Sequence, residues 1–342
     1  MSKAKVNINE RFTFGETLGS GSFATVVSAV DNKTNVRYAM KIIDKNRCRG
    51  QEDHIVKEIT ILKSIKHKNC IQLYDVFETK NSLYLQMEYV DGGELFDRIV
   101  NLGFYSEGDA KNIVLNILTA LDYIHGEGIV HRDLKPENLL MASKEDNAEV
   151  KLADFGLASV ATNDYMLKTN CGSLTYIAPE VLKSQPYGKP VDMWGIGVIT
   201  YILLSGYPPF WAEDDAGIMD ITIKGIYKFF SPDWDNITDD AKDFIAKLLI
   251  VNPDSRMTSS QALKHKWLTD STSQTVDISK TVGDNLVKNF NYRRKLKAGI
   301  DAVMVASGFV NSVKKETEKH HSDAISAGLK ALKLKAQNNA AK

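Results

Sequence analysis

Apolar positions along the chain follow a two-residue period up to about residue 90 and a helical period after it. Phe12, Phe14 and Leu18 alternate with other residues and predict a strand over Phe12–Leu18. A glycine-rich turn, Gly19-Ser20-Gly21-Ser22-Phe23-Ala24, leads into a β-branched run at Thr25–Val30. After a turn at Asp31–Asn35, a third strand is expected over Val36–Ile43. Its Tyr38, Met40 and Ile42 face one way, and Ala39 and Lys41 the other. Strands at Ile71–Phe77 and Leu83–Tyr89 bring the number to five. Between the third and fourth strands Ile55, Glu58, Ile59 and Leu62 repeat at helical spacing, so Glu58 falls inside an apolar stripe. A carboxylate there is costly unless paired, and Lys41 in its apolar strand needs an anion or water. Each is the other's natural partner.

From Asp91-Gly92-Gly93 onward the pattern is helical. Ser106-Glu107-Gly108-Asp109 has the form of a helix start. Ala110, Ile113, Val114, Ile117, Leu121 and Ile124 then carry the period to Gly126 and Gly128. Glu149–Ala153 predicts a short strand. Val191–Ser205 is apolar almost all round, as a buried central helix is, with Asp192 placed at its start to accept backbone N–H bonds. Helical signal ends near Trp267-Leu268. It resumes with Val282, Leu286 and Phe290, a basic run Tyr292–Lys297, and then Ile300, Val303, Val305 and Phe309.

With 342 residues the chain is long enough for two or three lobes with cores of their own. Its formal charge is zero, but residues 270–342 carry 13 basic against 7 acidic side chains, leaving an acidic body and a basic tail. That asymmetry points to an acidic partner, within the chain or outside it. The tail lacks an interleaved aromatic platform, so no nucleic-acid partner is expected. Cys48, Cys70 and Cys171 lack metal spacing and form an odd set, which suits a reducing compartment such as the cytoplasm or nucleus. Met1–Glu10 has no signal-peptide core, Met193–Leu204 is too short to span a bilayer, and no membrane association is expected.

The chemistry concentrates in His131-Arg132-Asp133-Leu134-Lys135-Pro136-Glu137-Asn138, followed sixteen residues beyond Asn138 by Asp154-Phe155-Gly156. One carboxylate to orient a hydroxyl, one lysine to neutralise charge, and an amide with a second carboxylate to hold magnesium suit phosphoryl transfer. The octet resembles the catalytic loop of eukaryotic protein kinases, and Asp154-Phe155-Gly156 resembles their metal-binding triplet. The resemblance covers Phe12 to about Leu268. It implies an α+β, bilobal protein kinase fold: a five-stranded small lobe with one long helix at about 12–90, and a mostly helical large lobe at about 91–268. A C-terminal helical tail, 269–342, follows.

The resemblance also implies roles. Asp133 orients the acceptor hydroxyl, Lys135 steadies the transferring group, and Asn138 and Asp154 hold Mg2+. Lys41 with Glu58 positions ATP, whose remaining contacts fall to Leu18, Gly19, Ser20, Gly21, Val26, Ala39, Glu88, Val90, Glu137 and Leu140. Ala24 stands where kinases carry the third glycine of their loop. Asp192 is implied to support the catalytic loop, and Arg256 to pair with Glu180. Lys135-Pro136-Glu137 is similar to serine/threonine kinases, while Gly92–Asp97 and Ala262–Leu268 look like the calcium/calmodulin-dependent group. A pseudokinase scaffold is the rival reading, but Lys41, Asp133 and Asp154 are all present.

Three regulatory expectations follow. Glu94 and Glu137 match positions that favour protein substrates with a basic residue before Ser/Thr, as in Arg-x-x-Ser/Thr. Thr169, acting through Arg132, matches the site at which an upstream activating kinase switches related enzymes by phosphorylation. Ser173-Leu174-Thr175-Tyr176 departs from the usual Thr-Pro-x-Tyr. In the tail, Leu296 and Phe309 stand thirteen residues apart on a basic segment, the pattern of a helix that calmodulin engulfs. An autoinhibitory, calmodulin-binding segment is therefore expected at about 278–310, although Leu296 replaces the tryptophan often found there.

Overall fold

Alternation in the first ninety residues becomes sheet. The structure is a computed structural model and describes residues 7–20, 24–46, 52–155, 158–160, 174–270 and 275–289. It divides into two compact units between Asp91 and Gly92. In the first, a single helical turn α1 (Ile8–Arg11) precedes β1 (Phe12–Ser20), β2 (Ala24–Asp31) and β3 (Arg37–Asp44). Helix α2 (Glu52–Ser64), β4 (Leu73–Glu78) and β5 (Ser82–Glu88) follow. The five strands form one antiparallel sheet in the order β1-β2-β3-β5-β4. Met40 is buried with Ile8, Phe12 and Ala29, and Tyr38, Ile42, Phe14 and Tyr84 pack on that cluster. Tyr38, Met40 and Ile42 thus share a face, as the period of two predicts.

Strand β4 starts at Leu73, two residues later than expected. Just ahead of it the Gln72 side-chain amide donates to the carbonyls of His67 and Cys70, while its backbone carbonyl still accepts the Glu88 N–H of β5. Ile71 stays buried regardless.

The second unit opens with α3 (Leu95–Val100) and α4 (Glu107–Gly126). Ser106 and Asp109 form a reciprocal capping box, the hydroxyl accepting the Asp109 N–H while the carboxylate accepts the Ser106 N–H. Short strands β6 (Ile129–Val130), β7 (Leu139–Met141), β8 (Val150–Leu152) and β9 (Ser159–Val160) pair as β6 with β9 and β7 with β8. Helices α5 (Pro179–Leu182), α6 (Pro190–Ser205), α7 (Asp215–Lys224), α8 (Asp239–Leu248), α9 (Ser259–Ala262) and α10 (Lys266–Thr269) follow. Every residue of α6 from Val191 to Ser205 is buried. Each of its large aliphatic side chains contributes roughly 1.5–3 kcal/mol of burial. Gly197 is needed for the close approach of α8, because a Cβ there would stand 2.7 Å from Leu249 and 2.9 Å from Leu248. No helix among the described residues is long and apolar enough to cross a membrane.

The helical pattern beyond Leu268 is realised as α11 (279–289). Ile278, Val282 and Leu286 are buried, and the Asn285 amide donates to the Ser205 carbonyl at 2.8 Å. The first part of the tail is therefore packed on the second unit.

Candidate active site

In the first unit, the register across the sheet sets Gly19 opposite Val26, Val26 opposite Lys41, and Lys41 opposite Leu85. Cross-strand partners share a face, so this row gathers backbone of the glycine turn, an apolar side chain and a cation. Ala39, buried, lies one step along the same face and opposite Met87. Lys41 Nζ donates to Glu58 Oε1 at 2.5 Å, both side chains being largely buried. The pairing that each charge required from its apolar context is present. Leu18 and Ser20 are exposed, while Glu88 and Val90 are half-buried at the end of β5 and just beyond it. The Glu88 N–H is used by the Gln72 carbonyl at 2.9 Å. Gly21 lies outside the described residues.

In the second unit, the loop between β6 and β7 converges on Asp133. Lys135 Nζ donates to Asp133 Oδ2 at 2.6 Å. Asn138 Nδ2 donates to the same oxygen at 3.1 Å and to the Asp133 carbonyl at 2.7 Å. Both Asn138 amide hydrogens are thereby spent, and Oδ1 is fixed on the opposite side of a planar group. The loop's exit is held by the Ala153 N–H, which donates to the Asn138 carbonyl at 2.8 Å, so the residue before Asp154 is tied to the residue after Glu137. Asp154 is exposed and in the left-handed region at φ 57°. Burial works against charge on Lys135, but the hydrogen bond and charge of Asp133, helped by Glu137 and Asp154, outweigh it and hold its pKa above the ordinary lysine value. Lys135 is a cation at every physiological pH.

What shapes the loop is Asp192, fully buried in the first turn of α6. Position alone gives its carboxylate to its own helix N-terminus, while the family resemblance gives it to the catalytic loop. The second holds: Oδ2 accepts the His131 N–H and Oδ1 the Arg132 N–H, both at 2.8 Å. Arg132 sits at φ 70°, a conformation an L-residue keeps only when its surroundings over-determine it. His125, in the last turn of α4, brings Nε2 to 2.8 Å from Asp192 Oδ2. Burial raises the Asp192 pKa, but His125, His131 and the Arg132 N–H more than offset it, so the group stays ionised. The periodic pattern of α4 gave no reason to single out His125, and its only signal is a polar ring next to the buried Ile124.

His131 is buried edge-on to Phe155, ring centroids 5.0 Å apart. Its Nδ1 accepts the Asp133 N–H at 3.3 Å, and Nε2 faces the Ala153 carbonyl at 3.2 Å, an arrangement that needs the neutral ring. Burial pushes its pKa below the usual histidine value, against the pull of Asp192 and Asp133. Leu140 is half-buried in β7 and bridges Glu94, itself half-buried, while Glu137 is exposed. Arg256 donates to both oxygens of Glu180, at 2.8 and 3.0 Å. Thr169, Leu296 and Phe309 lie outside the described residues.

The family model described as "Protein kinase domain" matches residues 12–268. A calcium/calmodulin-dependent protein kinase type 1 of Caenorhabditis briggsae is 46% identical over 294 residues, 85% of this chain and 82% of that protein. The type 1B enzyme of Homo sapiens is 45% identical over 290 residues, covering 85% of this chain and 84% of its own. A type 1 enzyme of Macrobrachium nipponense is 44% identical over 284 residues, 83% of this chain and 82% of its own.

Proposed function

The chain belongs to the protein kinases, as an ATP-dependent serine/threonine kinase of the calcium/calmodulin-dependent group, and from that premise we propose that Asp133 and Lys135 carry its chemistry. Asp133 meets the acceptor hydroxyl of a protein Ser or Thr, orients it and takes its proton. The hydroxyl oxygen bonds to the γ-phosphorus as the bond to the departing ADP oxygen breaks. The observation that carries this reading is the convergence of Lys135 and Asn138 on Asp133 Oδ2. It leaves Oδ1 for the incoming hydroxyl and sets a fixed cation beside the transferring group. Lys41, held by Glu58, would grip the phosphates from its own unit.

Asn138 and Asp154 suit Mg2+: both offer hard oxygen donors, and the Asn138 amide is already turned so that oxygen rather than nitrogen is available. When bound, the ion neutralises charge on the phosphates. Transfer of phosphate from Mg-ATP to a basic peptide tests the assignment. Equal rates for the parent and Asp133→Asn would refute it. Nothing favours a scaffold without activity.

Glu94 and Glu137 are assigned to a basic residue ahead of the acceptor, which makes Arg-x-x-Ser/Thr proteins the substrate class. Phosphorylation of Thr169 by an upstream kinase is assigned the ordering of its loop through Arg132, by adding roughly −1.5 to −2 charges. The tail is assigned autoinhibition relieved by calcium/calmodulin. The names of the related enzymes and the anchors Leu296 and Phe309 support this. Tethering at an effective concentration on the order of 1 mM would fill a site of ~10 μM affinity about 99% of the time. The cytoplasm is the proposed location. Activity of the full chain with and without calcium/calmodulin, against a deletion after Asn289 that keeps α11, tests the regulation. No calmodulin binding, together with lower activity on deletion, would sink it.

A further inference from the structure

We infer that α11 is a fixed strut of the catalytic unit, pinning the ends of α4 and α6 remote from the catalytic loop, and that the calmodulin-controlled part of the tail begins only after Asn289. The second half rests on the regulatory reading above. The first half stands on contacts alone.

At the start of α4, Asp277 pairs with Ser106 as a β-bridge. The Ile278 N–H donates to the Tyr105 carbonyl at 2.8 Å, and the Asp277 carboxylate accepts from Tyr105 N–H at 3.4 Å and from Ser279 N–H at 2.9 Å. At the end of α6, Asn285 donates to the Ser205 carbonyl at 2.8 Å and Asn289 to that of Gly206 at 3.5 Å. Gly206 caps α6 at φ 78°, and a Cβ there would stand 2.4 Å from the Val282 carbonyl oxygen and 2.6 Å from Asn285 Cβ. Backbone meets backbone at this point, and only glycine permits it.

The other ends of the same two helices hold the catalytic loop. Helix α4, 20 residues and so about 30 Å long, ends in the turn that carries His125. Helix α6 begins with the turn that carries Asp192, and the two side chains are bonded at 2.8 Å. The pair is thus joined at one end by His125 and Asp192 and at the other by α11. Sliding one helix along the other would carry Asp192 away from the His131 and Arg132 amides, and Arg132 would lose what holds it left-handed.

Charge separates the strut from the regulated segment. Residues 275–289 carry two basic and two acidic side chains, whereas Arg293-Arg294-Lys295 and Lys297 follow. Two apolar residues of α11, Val282 and Leu286, are spent on the second unit, at 0% and 2% exposure. A segment released to an acidic groove needs the opposite, free apolar anchors flanked by cations.

The test uses the full chain with saturating calcium/calmodulin. Asn285→Ala and Val282→Ala loosen α11 singly and together, and Val287→Ala on its exposed face is the control. Kinetics with ATP and an Arg-x-x-Ser peptide are read beside hydrogen exchange at 127–138 and 279–289, below each variant's unfolding temperature. In the double variant kcat is expected to fall roughly fivefold, with exchange rising in both segments. KM for ATP should stay within about twofold, because binding itself is untouched. Faster exchange at 279–289 with unchanged kcat overturns the strut. Higher activity without calmodulin also overturns it, since α11 would then be inhibitory. If the double variant does not fold, Asn285→Ala alone decides by the same criteria. A parent that calmodulin fails to activate overturns the regulatory reading and the boundary at Asn289, while the kcat comparison still decides the strut.

Discussion

Arg256→Met removes a cation from the most enclosed ion pair among the described residues of the second unit. The Arg256 and Glu180 side chains are 0% and 2% exposed, and the pair is bidentate. Arg256 also donates to the carbonyls of Pro190 at 2.6 Å and Ile250 at 3.0 Å, and lies 5.0 Å over the Trp194 ring. Methionine fills part of the space but strands Glu180 as a buried, unpaired carboxylate, at a cost of about 3–5 kcal/mol. For a domain of this size each kcal/mol moves the melting temperature by roughly 2–4 °C, so a loss on the order of 6–20 °C is expected. Arg256→Met with Glu180→Leu removes both charges and should recover much of that loss, giving a coupling of at least about 2 kcal/mol. Thermal unfolding of the parent, both single variants and the double variant supplies the cycle. A shift below about 3 °C for Arg256→Met, or a double variant as unstable as the two singles combined, would refute the reasoning.

Three further outcomes are expected. Asp133→Asn keeps an acceptor for Lys135 but cannot take a proton, so kcat should fall by about 10²–10⁴ while KM for ATP changes little, as steady-state kinetics will show. Lys41→Met leaves Glu58 buried without its cation; transfer should be nearly lost and ATP binding weakened, with Glu58→Gln milder in both ATP titration and turnover. His131 is neutral when folded, its pKa lowered by burial from the usual value of about 6.5. The unfolded chain therefore binds the extra proton first, and stability should decline as pH falls through about 6.5 until the lower folded value is reached. Melting curves at stepped pH check this, with His131→Phe expected to show a flatter decline over the same window.

The period of the apolar residues determined the strands of the first unit and helices α4 and α11, because backbone geometry fixes which neighbours share a face, and an almost unbroken apolar run marked α6. Lys41 and Glu58 were legible as a pair for the same reason. Each was a charge out of place in an apolar stripe, and the cost of burying it alone named the partner. The octet from His131 to Asn138 was legible as chemistry, since its side chains lie close enough along the chain for one loop to gather them. Partners decided by packing were not legible in the residues themselves, and that Asp192 supports the catalytic loop came only from the family resemblance. The Asp192 carboxylate serves amides 60 and 61 residues away rather than its own helix, and His125 bonds it from 67 residues away. Both depend on α4 and α6 lying side by side, which neither segment specifies alone. Likewise the stripe Ile278, Val282 and Leu286 announced a helix without saying what would bury it. Only the tertiary structure set it against Tyr105, Ser106 and Gly206, because an amphipathic face constrains the character of its neighbour and leaves its identity to the rest of the fold.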